Sequence, residues 1–484
     1  MKPIITINNL SKFYWDKLLF ENVDFVFSQW KYAIIWPNGT GKSTLINCIL
    51  DSDECSYWST SIKWLWTQIH QELPAKYYWF TVGEYFRQFL DEDQERRIDI
   101  ILDELELNTN ESDYISSLSG GMKRKLELAK LLLKDRDIVI MDEPTNHLDV
   151  DIRWRLIDRV DDFKWIVLCV THDRDFINNC FWQVVEIRDK WLHIYMWDSL
   201  SGSSYEDYLT SKSDEQESQA KAHDIYMRQK SKEEKLIATI RQRAAIYDSP
   251  SRWKLLKSRQ KFLERFVNKN HTDKPTKEKK LDLAIAWWAH THKILLSLKW
   301  INVSIYGRML ISHLVYTIRW SDRLLIVWPN GSGKSTLLNH IVSVLKWETE
   351  DSKVQFANWL KRWYFDQNNI WISGDIAAID RVENKLRIDA QTARTKLSNI
   401  WIIWWSIKTK VSDLSYWQKV KLKFLLMMSQ SVDLLIMDEP TNHLDIPTIE
   451  SLEKMLMDYQ WAVILVCHDI YFVDKLGISD ILRI

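Results

Sequence analysis

Residues 36–44 read Trp36-Pro37-Asn38-Gly39-Thr40-Gly41-Lys42-Ser43-Thr44, and they carry the strongest structural signal in the chain. From Gly41 onward they follow the phosphate-binding loop pattern G-x-x-x-x-G-K-[ST]. The apolar run 32–35 before the loop predicts a buried strand, and residues 44–50 after it predict a helix. Backbone N–H groups at such a helix N-terminus bind phosphate. Lys42 is placed to neutralise the β- and γ-phosphates, and Ser43 is placed to bind Mg²⁺.

The same loop recurs as Trp328-Pro329-Asn330-Gly331-Ser332-Gly333-Lys334-Ser335-Thr336, again after an apolar run. Three further motif residues recur 296 positions later, namely Ser119 as Ser415, Glu143 as Glu439 and His172 as His468. One constant offset across several motifs is typical of a duplicated domain. We therefore predict two α/β domains with phosphate loops, at residues 1–205 and 281–484, joined by a linker at residues 206–280.

Tryptophan stands where both loops should have their first glycine, at a tight turn that has no room for a side chain. The chain has 27 Trp and 11 Gly, whereas average usage predicts roughly 34 Gly. We interpret many of these tryptophans as UGA codons, which some bacterial lineages read as glycine; the alternative is a protein truly rich in tryptophan. The clearest cases are Trp30, Trp36, Trp320, Trp328 and Trp417. A UGG codon at position 36 would contradict this interpretation.

Composition limits the class of protein. The net charge of −1 over 484 residues excludes a global attraction to nucleic acid or membrane, so any such contact needs a local patch. No run of 18 apolar residues occurs, so no membrane span is expected, and the start of the chain lacks the apolar segment of a signal peptide. Five dispersed cysteines without C-x-x-C spacing favour reduced thiols. A cytoplasmic protein is predicted.

Each copy places two acids at the end of an apolar strand pattern: Asp142 and Glu143 in the first, Asp438 and Glu439 in the second. Carboxylates at a strand end beside a phosphate loop can divide the work of hydrolysis. The aspartate is expected to bind the metal, and the glutamate to orient or deprotonate the attacking water.

Two polar positions in each copy are candidates for contacts near the γ-phosphate. A histidine follows the next apolar strand pattern, at His172 and His468. A glutamine follows a short apolar segment, at Gln68 and Gln367, and is a candidate contact to Mg²⁺ or water. A lone histidine is more often structural and a lone glutamine more often solvated. Their recurrence in register favours a function.

A glycine pair opens a predicted helix in the first copy, within Leu118-Ser119-Gly120-Gly121-Met122. Ser119 is expected to cap this helix, and the glycines leave backbone N–H groups open to an anion. The second copy reads Leu414-Ser415-Tyr416-Trp417-Gln418. Tyr14 and Tyr306 are placed to stack on a nucleotide base, although a core or edge-strand tyrosine is an equally good interpretation.

In combination these motifs resemble the ATP-binding-cassette (ABC) ATPases over nearly the whole chain. The matching positions, in the order of the family, are the aromatic loop (Tyr14, Tyr306), Walker A (36–44, 328–336), the Q-loop (Gln68, Gln367), the signature (118–122, 414–418), Walker B (138–143, 434–439), the D-loop (Asp149, Asp445) and the H-loop (His172, His468). The resemblance implies ATP and Mg²⁺ as cofactors and two cassettes stacked head to tail. Lys42 would then share an ATP with Ser415, and Lys334 with Ser119.

Both copies continue as Asp-Glu-Pro-Thr-Asn-His-Leu-Asp, and no membrane domain is predicted beside them. This resembles the ABC-F class of tandem cassettes that act on ribosomes. The first cassette has no sizeable insertion relative to the second, and no C-terminal extension is expected after the last motif. The resemblance therefore predicts a minimal member of the class.

The linker is expected to form two antiparallel helices, at residues 206–248 and 251–269, broken at Ser249-Pro250. From Arg228 to Lys269 it carries 13 Lys and Arg against 4 acids, a net charge of +9. A solvated spacer and a surface for an RNA backbone explain this composition equally well. The resemblance favours RNA, because ABC-F proteins reach transfer RNA and ribosomal RNA through this linker.

The predicted function is a monomeric ABC-F type ATPase that binds the ribosome in its ATP-bound closed state and leaves on hydrolysis. One alternative is an ATP-binding subunit that energises a membrane transporter, which would fractionate with membranes. Another is a DNA-repair cassette ATPase, which we would expect to carry zinc-binding cysteine pairs. Normal translation, antibiotic protection and ribosome assembly all remain open as the biological role, as does the equality of the two ATP sites.

Overall fold

The structure of the chain is a computed structural model. The residues that it describes are 3–14, 17–28, 30–35, 42–50, 57–62, 64–89, 97–105, 107, 109–133, 136–146, 148, 150–188, 191–196, 204–247, 250–270, 294–305, 308–327, 334–345, 352–357, 360–365, 375–400, 402, 404–414, 416–429, 432–442 and 444–483.

The first cassette combines a mainly parallel sheet with a smaller antiparallel one. Its strands are β1 (Ile5–Tyr14), β2 (Lys17–Phe27), β3 (Lys31–Ile35), β4 (Tyr57–Ile62), β5 (Trp66–Ile69), β6 (Ile138–Asp142), β7 (Ile166–Val170), β8 (Gln183–Arg188) and β9 (Trp191–Met196). Its helices are α1 (Lys42–Leu50), α2 (Val82–Arg87), α3 (Arg97–Glu104), α4 (Gly120–Leu128), α5 (Lys130–Leu133), α6 (Val150–Asp161) and α7 (Arg174–Cys180). The large sheet has the order β5-β6-β7-β3-β8-β9, and the small sheet has the order β2-β1-β4.

The parallel strands are continuous apolar runs because helices or a second sheet cover both of their faces. All five residues of β7 are buried, and the first four of β6 are buried. One core lies between the two sheets and α1, with Ile5, Phe27 and Ile140 among its members. A second core belongs to the helical subdomain formed around α2, α3 and α4.

The second cassette repeats this plan. Its strands are β10 (Ile294–Ile305), β11 (Arg308–Arg319), β12 (Arg323–Val327), β13 (Val354–Phe356), β14 (Arg362–Phe365), β15 (Leu434–Asp438), β16 (Ala462–Val466) and β17 (Asp480–Arg483). Its helices are α10 (Lys334–Leu345), α11 (Ala378–Leu386), α12 (Ala390–Asn399), α13 (Tyr416–Met428), α14 (Ile446–Asp458) and α15 (Ile470–Leu476). The sheet order β14-β15-β16-β12-β17 matches β5-β6-β7-β3-β8 strand for strand, which confirms the predicted duplication.

Residues Tyr195–Glu278 form a compact unit of their own. It contains α8 (Ser204–Tyr247) and α9 (Pro250–Asn270), which confirms the two predicted helices and places Pro250 at the start of the second. Tyr226 stacks on Phe266, and Arg259 pairs with Glu233, so the helices run antiparallel. Among the described residues no helix, including the 44-residue α8, is long and apolar enough to cross a membrane.

The backbone bears on the tryptophan interpretation at three positions. Trp300 lies in β10 with φ of +54°, a left-handed conformation that favours glycine over a bulky residue. Trp30 and Trp320 do not share that conformation, and in the turn after Trp320 it belongs to Ser321 (φ +70°). Among these three tryptophans, therefore, the backbone supports a glycine at Trp300 alone, a position that the sequence pattern did not single out.

Candidate nucleotide site

The two phosphate loops are flanked as the sequence predicts. In the first cassette the buried strand β3 precedes the loop, and α1 begins at Lys42 and continues through Ser43 and Thr44. In the second cassette β12 precedes the loop, and α10 begins at Lys334. The loop residues 36–41 and 328–333 lie outside the described residues. In each cassette the N-terminus of the helix, the positive end of its dipole, is the end that adjoins the loop in the sequence.

In each cassette the paired acids lie at the end of an inner strand of the large sheet. Glu143 follows the last residue of β6, Asp142, and Glu439 follows the last residue of β15, Asp438; both glutamates are at most 7% exposed. Each glutamate donates its N–H across to the next strand, to Val170 at 2.8 Å and Val466 at 2.9 Å.

Both glutamates adopt a left-handed backbone, with φ of +45° at Glu143 and +47° at Glu439. For a residue with a Cβ this conformation costs about 1–3 kcal/mol, and such strain clusters at functional sites. The cassettes thus repeat the same strained turn at the residue that sequence analysis selects as the catalytic carboxylate.

Each glutamate faces the histidine of its own cassette. His172 Nε2 lies 3.5 Å from Glu143 Oε1, and the His172 backbone N–H donates to Oε2 at 3.3 Å. In the second cassette His468 Nε2 lies 3.2 Å from Glu439 Oε1. The contact forms because β6 and β7, like β15 and β16, are parallel neighbours that end together. The sequence predicted these residues separately, and the sheet brings them into one cluster.

The first signature segment forms the predicted helix start. Ser119 is the N-cap of α4 and accepts a hydrogen bond from the Met122 N–H at 3.3 Å. The helix begins at Gly120, directly after the cap, as the sequence predicts. A Cβ at Gly120 or Gly121 would meet nothing within 4 Å, so both backbones are accessible to a ligand.

The remaining predicted positions divide into described and undescribed residues. Tyr14 ends β1, Gln68 lies on β5, Tyr416 and Trp417 open α13, and Gln418 donates to the Ser406 hydroxyl at 3.2 Å. Asp445 caps α14 by accepting from the Thr448 N–H at 3.2 Å. The residues outside the description are Tyr306, Asp149, Gln367 and Ser415, together with the two phosphate loops.

A buried polar cluster beside the first site was not predicted from the sequence. Arg124 of α4, 5% exposed, donates to the carbonyl oxygens of His70, of Gln71 at 2.9 Å and of Glu143 at 2.7 Å. It therefore ties α4 to the segment after Gln68 and to the backbone of Glu143. The repeat offset pairs Arg124 with Val420, so the second cassette has no side-chain donor there. The sequence signal that could have pointed to this cluster was an arginine in the helix that the signature segment opens.

Glu127, one turn further along α4, is 0% exposed and collects hydrogen bonds on both carboxylate oxygens. His70 donates its backbone N–H to Glu127 at 3.0 Å, and its ring Nδ1 lies 2.8 Å away. Tyr85 donates its hydroxyl at 2.8 Å, and Lys130 donates Nζ at 2.6 Å. Burial would raise the pKa of Glu127, but the bonds from His70 and the charge of Lys130 outweigh it and lower that pKa to about 2.

A family model described as "ABC transporter" matches residues 20–146 and 311–442, more than half of the chain. The chain belongs to the ABC transporter family. As an ABC protein it has two copies of the nucleotide-binding domain that hydrolyses ATP in this family, and it is an ATPase.

The relatives of this ABC protein are consistent with the ABC-F class that its motifs resemble. It is 27% identical to the ribosome protection protein VmlR of Bacillus subtilis (strain 168), over 98% of this chain and 86% of the relative. It is 28% identical to ABC transporter F family member 5 of Arabidopsis thaliana, over 78% of this chain and 54% of the relative. The fold is shared with the archaeal ribosome recycling factor aABCE1, solved with the stalk protein aP1 (TM-score 0.62, 14% identity, 98% of this chain and 87% of that one).

The residues at the strand ends fit Mg²⁺ bound together with a nucleotide. In the described part of this ABC protein no three His, Cys, Asp or Glu side chains form a cluster that could hold a metal ion unaided. Mg²⁺ in nucleotide sites takes one or two carboxylates and completes its shell with phosphate oxygens and water. Asp142 and Asp438, at the ends of β6 and β15, supply such hard oxygen donors.

Arg124→Met should destabilise the first cassette by about 2–4 kcal/mol, because it leaves several buried carbonyl groups without a donor. The free energy of unfolding in urea would be compared with that of a reference protein. This reference carries Trp36→Gly, Trp328→Gly and Trp417→Gly, three of the positions where the sequence is interpreted as glycine. Lys125→Met on the same helix is the matched control and should change stability by less than about 0.5 kcal/mol. Equal values for the two variants would show that Arg124 has no such structural role.

Proposed function

We propose that this ABC-F protein binds ribosomes when both cassettes hold ATP, and that hydrolysis releases it. The observation that carries this proposal is the combination of two complete Glu–His clusters with a basic helical hairpin in one chain. The relatives named above include proteins described by their action on ribosomes. The ABC-F assignment makes the ribosome the partner to test first.

Within each site we assign roles by cassette. Lys42 and Lys334, with the backbone of 36–44 and 328–336, bind the phosphates. The residues proposed to complete the metal site are Asp142, Ser43 and Gln68 in the first cassette, and Asp438, Ser335 and Gln367 in the second. These residues would hold Mg²⁺, which would neutralise negative charge on the phosphates.

The chain's own groups would handle the proton and the attacking water. Glu143 and Glu439 accept a proton from that water, and their burial at the strand ends keeps bulk solvent from competing. His172 and His468 lie within 3.5 Å of these carboxylates and orient them towards the γ-phosphate.

The bases would be held by Tyr14 and Tyr306. The signature residues Ser119, Gly120 and Gly121, and in the second copy Ser415, Tyr416, Trp417 and Gln418, would bind the nucleotide of the opposite cassette, together with Asp149 and Asp445. This arrangement makes ATP the link that closes the pair. Binding of ATP then shifts the population towards the closed form, and hydrolysis reverses the shift.

The hairpin supplies the chemistry for an RNA backbone. Among the Lys and Arg side chains whose burial the structure describes between residues 228 and 265, nine are exposed: Arg228, Lys232, Lys235, Arg241, Arg243, Lys254, Lys257, Lys261 and Arg265. Trp253 (41% exposed) and Phe262 (49% exposed) lie among them. Cations interleaved with exposed rings are suited to phosphate contact and base stacking. We therefore assign contacts with ribosomal RNA and transfer RNA to the hairpin. Because the proposed partner is the ribosome, we also propose that the protein is cytoplasmic.

Ribosome co-sedimentation tests the proposal. The reference protein carrying Glu143→Gln and Glu439→Gln, which binds but does not turn over ATP, should pellet with ribosomes when ATP is present and stay in the supernatant without it. Failure to pellet, by a protein shown to bind ATP, would remove the ribosome from the proposed function. Pelleting with membrane vesicles instead would support a transporter subunit.

Charge reversal in the hairpin should then weaken ribosome binding in a salt-dependent way. Lys257→Glu with Lys261→Glu and Arg265→Glu should lower the slope of log affinity against log salt by about 1 for each phosphate that the hairpin no longer neutralises. Lys221→Glu, on the same helical unit but outside the basic stretch, is the matched control and should leave the slope unchanged. Equal slopes for all these proteins would contradict an RNA-binding hairpin.

A further inference from the structure

A buried charge network joins the two cassettes. Arg153 of α6, 4% exposed, donates from Nη1 to the carbonyl oxygen of His468 in the other cassette, at 2.9 Å. Its Nη2 contacts Asp173 at 2.5 Å and Asp175 at 3.0 Å. The first cassette therefore uses its own acids to orient a guanidinium whose third acceptor belongs to the second cassette.

Arg174, the first residue of α7, makes a second link and is 1% exposed. Its guanidinium binds Glu453 of α14, lies 3.9 Å from Asp469 Oδ2, and stacks over the ring of Tyr471 at 4.2 Å from the centroid. Asp469 in turn caps α15 by accepting from the Phe472 N–H at 2.9 Å. Arg174 therefore holds the start of the helix that follows His468.

The network is one-sided. The offset of 296 residues that relates Glu143 to Glu439 relates Arg153 to Ile449 and Arg174 to Ile470. Isoleucine side chains have no hydrogen-bond donor. The second cassette therefore cannot return these contacts to His172 from the equivalent positions, and the two H-loops are supported differently.

The contacts converge on the residue that faces the second catalytic glutamate. Arg153 binds the backbone of His468, Arg174 binds its neighbour Asp469, and the His468 ring lies 3.2 Å from Glu439. A catalytic group misplaced by about 1 Å can lose about 100-fold in rate. A change in the cassette contact would therefore be transmitted directly to this histidine.

We propose that Arg153 and Arg174 are positioning residues for the second cassette's ATP site. Hydrolysis at Glu439 then depends on cassette pairing through two arginines whose equivalent positions in the second cassette are isoleucine. The inference rests on the proposed function, because it takes Glu143 and Glu439 as the catalytic carboxylates. The support of His468 by Arg153 and Arg174 would explain unequal ATP turnover at two otherwise similar sites.

The test isolates each site in turn with purified reference protein and ATP, without ribosomes. With Glu143→Gln as background, only the second site hydrolyses, and Arg153→Met should lower kcat about tenfold or more with KM for ATP changed less than about twofold. With Glu439→Gln as background, only the first site hydrolyses, and the same change should alter kcat less than about twofold. A purely structural role would lower both.

Arg159→Met, an exposed arginine on the same helix, is the matched control and should leave both backgrounds unchanged. Arg153→Lys keeps a cation beside Asp173 and Asp175 but offers one nitrogen for three acceptors. We expect an intermediate loss of kcat that is confined to the second site. This variant provides the test if Arg153→Met does not fold. Equal losses in the two backgrounds, or none in either, would overturn the inference alone. If the Glu143→Gln and Glu439→Gln proteins each hydrolyse ATP as fast as the reference protein, the proposed catalytic roles themselves are wrong.

Discussion

Replacing both strand-end carboxylates, as Glu143→Gln with Glu439→Gln, is expected to lower kcat for ATP hydrolysis about 100- to 10,000-fold, the usual contribution of a positioned general base. Glutamine has the same shape, so the turn and the contact to the histidine's backbone N–H can persist, but its amide cannot accept the proton of the attacking water. Phosphate release under saturating ATP would measure the loss in the reference protein.

The same double variant should bind ATP with nearly the affinity of the reference protein, because the phosphate loops at 36–44 and 328–336 are untouched. Equilibrium titration with a fluorescent ATP analogue would check this. Each single variant should retain the turnover of the other site. Loss of ATP binding would mean that the variants disturb the fold, and turnover above about a tenth of the reference value would show that these carboxylates are not the bases.

Glu127→Leu is expected to destabilise the first cassette by about 3–5 kcal/mol, the usual result of removing one partner of a buried ion pair. Lys130, whose side chain is 4% exposed, would be left buried without its 2.6 Å partner, and Tyr85 would lose the acceptor of its hydroxyl. Urea unfolding at pH 7, followed by a probe in the helical subdomain, would measure the change.

The double variant Glu127→Leu with Lys130→Leu is the informative control. Removing both charges leaves no ion buried alone, so it should recover part of the lost stability. The second cassette already has Leu426 at the position equivalent to Lys130. A double variant no more stable than Glu127→Leu would show that the ion pair is not the source of the effect.

The pH dependence of stability should carry the same signature. The pKa of Glu127 is about 2 in the folded protein, against 4.5 for an ordinary glutamate. The folded state therefore binds fewer protons, and the group's contribution is present above pH 4.5 and lost as the pH falls towards 2. Between pH 4.5 and pH 2, the free energy of unfolding of the reference protein should fall by about 3 kcal/mol more than that of the Glu127→Leu protein.

Much of the fold was predictable because its signals are local. The buried strands before each loop, the helices after them and the break at Pro250 all follow from runs of neighbouring residues, and each was found where expected. The duplication followed from one repeated offset. Even the Ser119 cap was readable, since a cap acts on the N–H group only three residues away.

The tertiary structure decided what those elements bring together. His172 and Glu143 meet because two parallel strands end side by side, and Glu127 meets His70 across 57 residues of chain. Arg153 reaches His468 across 315 residues. Such contacts depend on how strands and helices pack, and no pattern of neighbours encodes them.

The sequence by itself determined the class of the protein and the basic charge of its hairpin, because motif residues and charge are properties of the chain. It also predicted which carboxylates are catalytic. The structure alone showed that Arg124 binds the backbone of Glu143, and that Arg153 and Arg174 contact His468 and Asp469 of the other cassette. The physical reason is burial. A guanidinium excluded from water must find acceptors wherever the fold provides them, and here the fold provides them in distant segments of the chain.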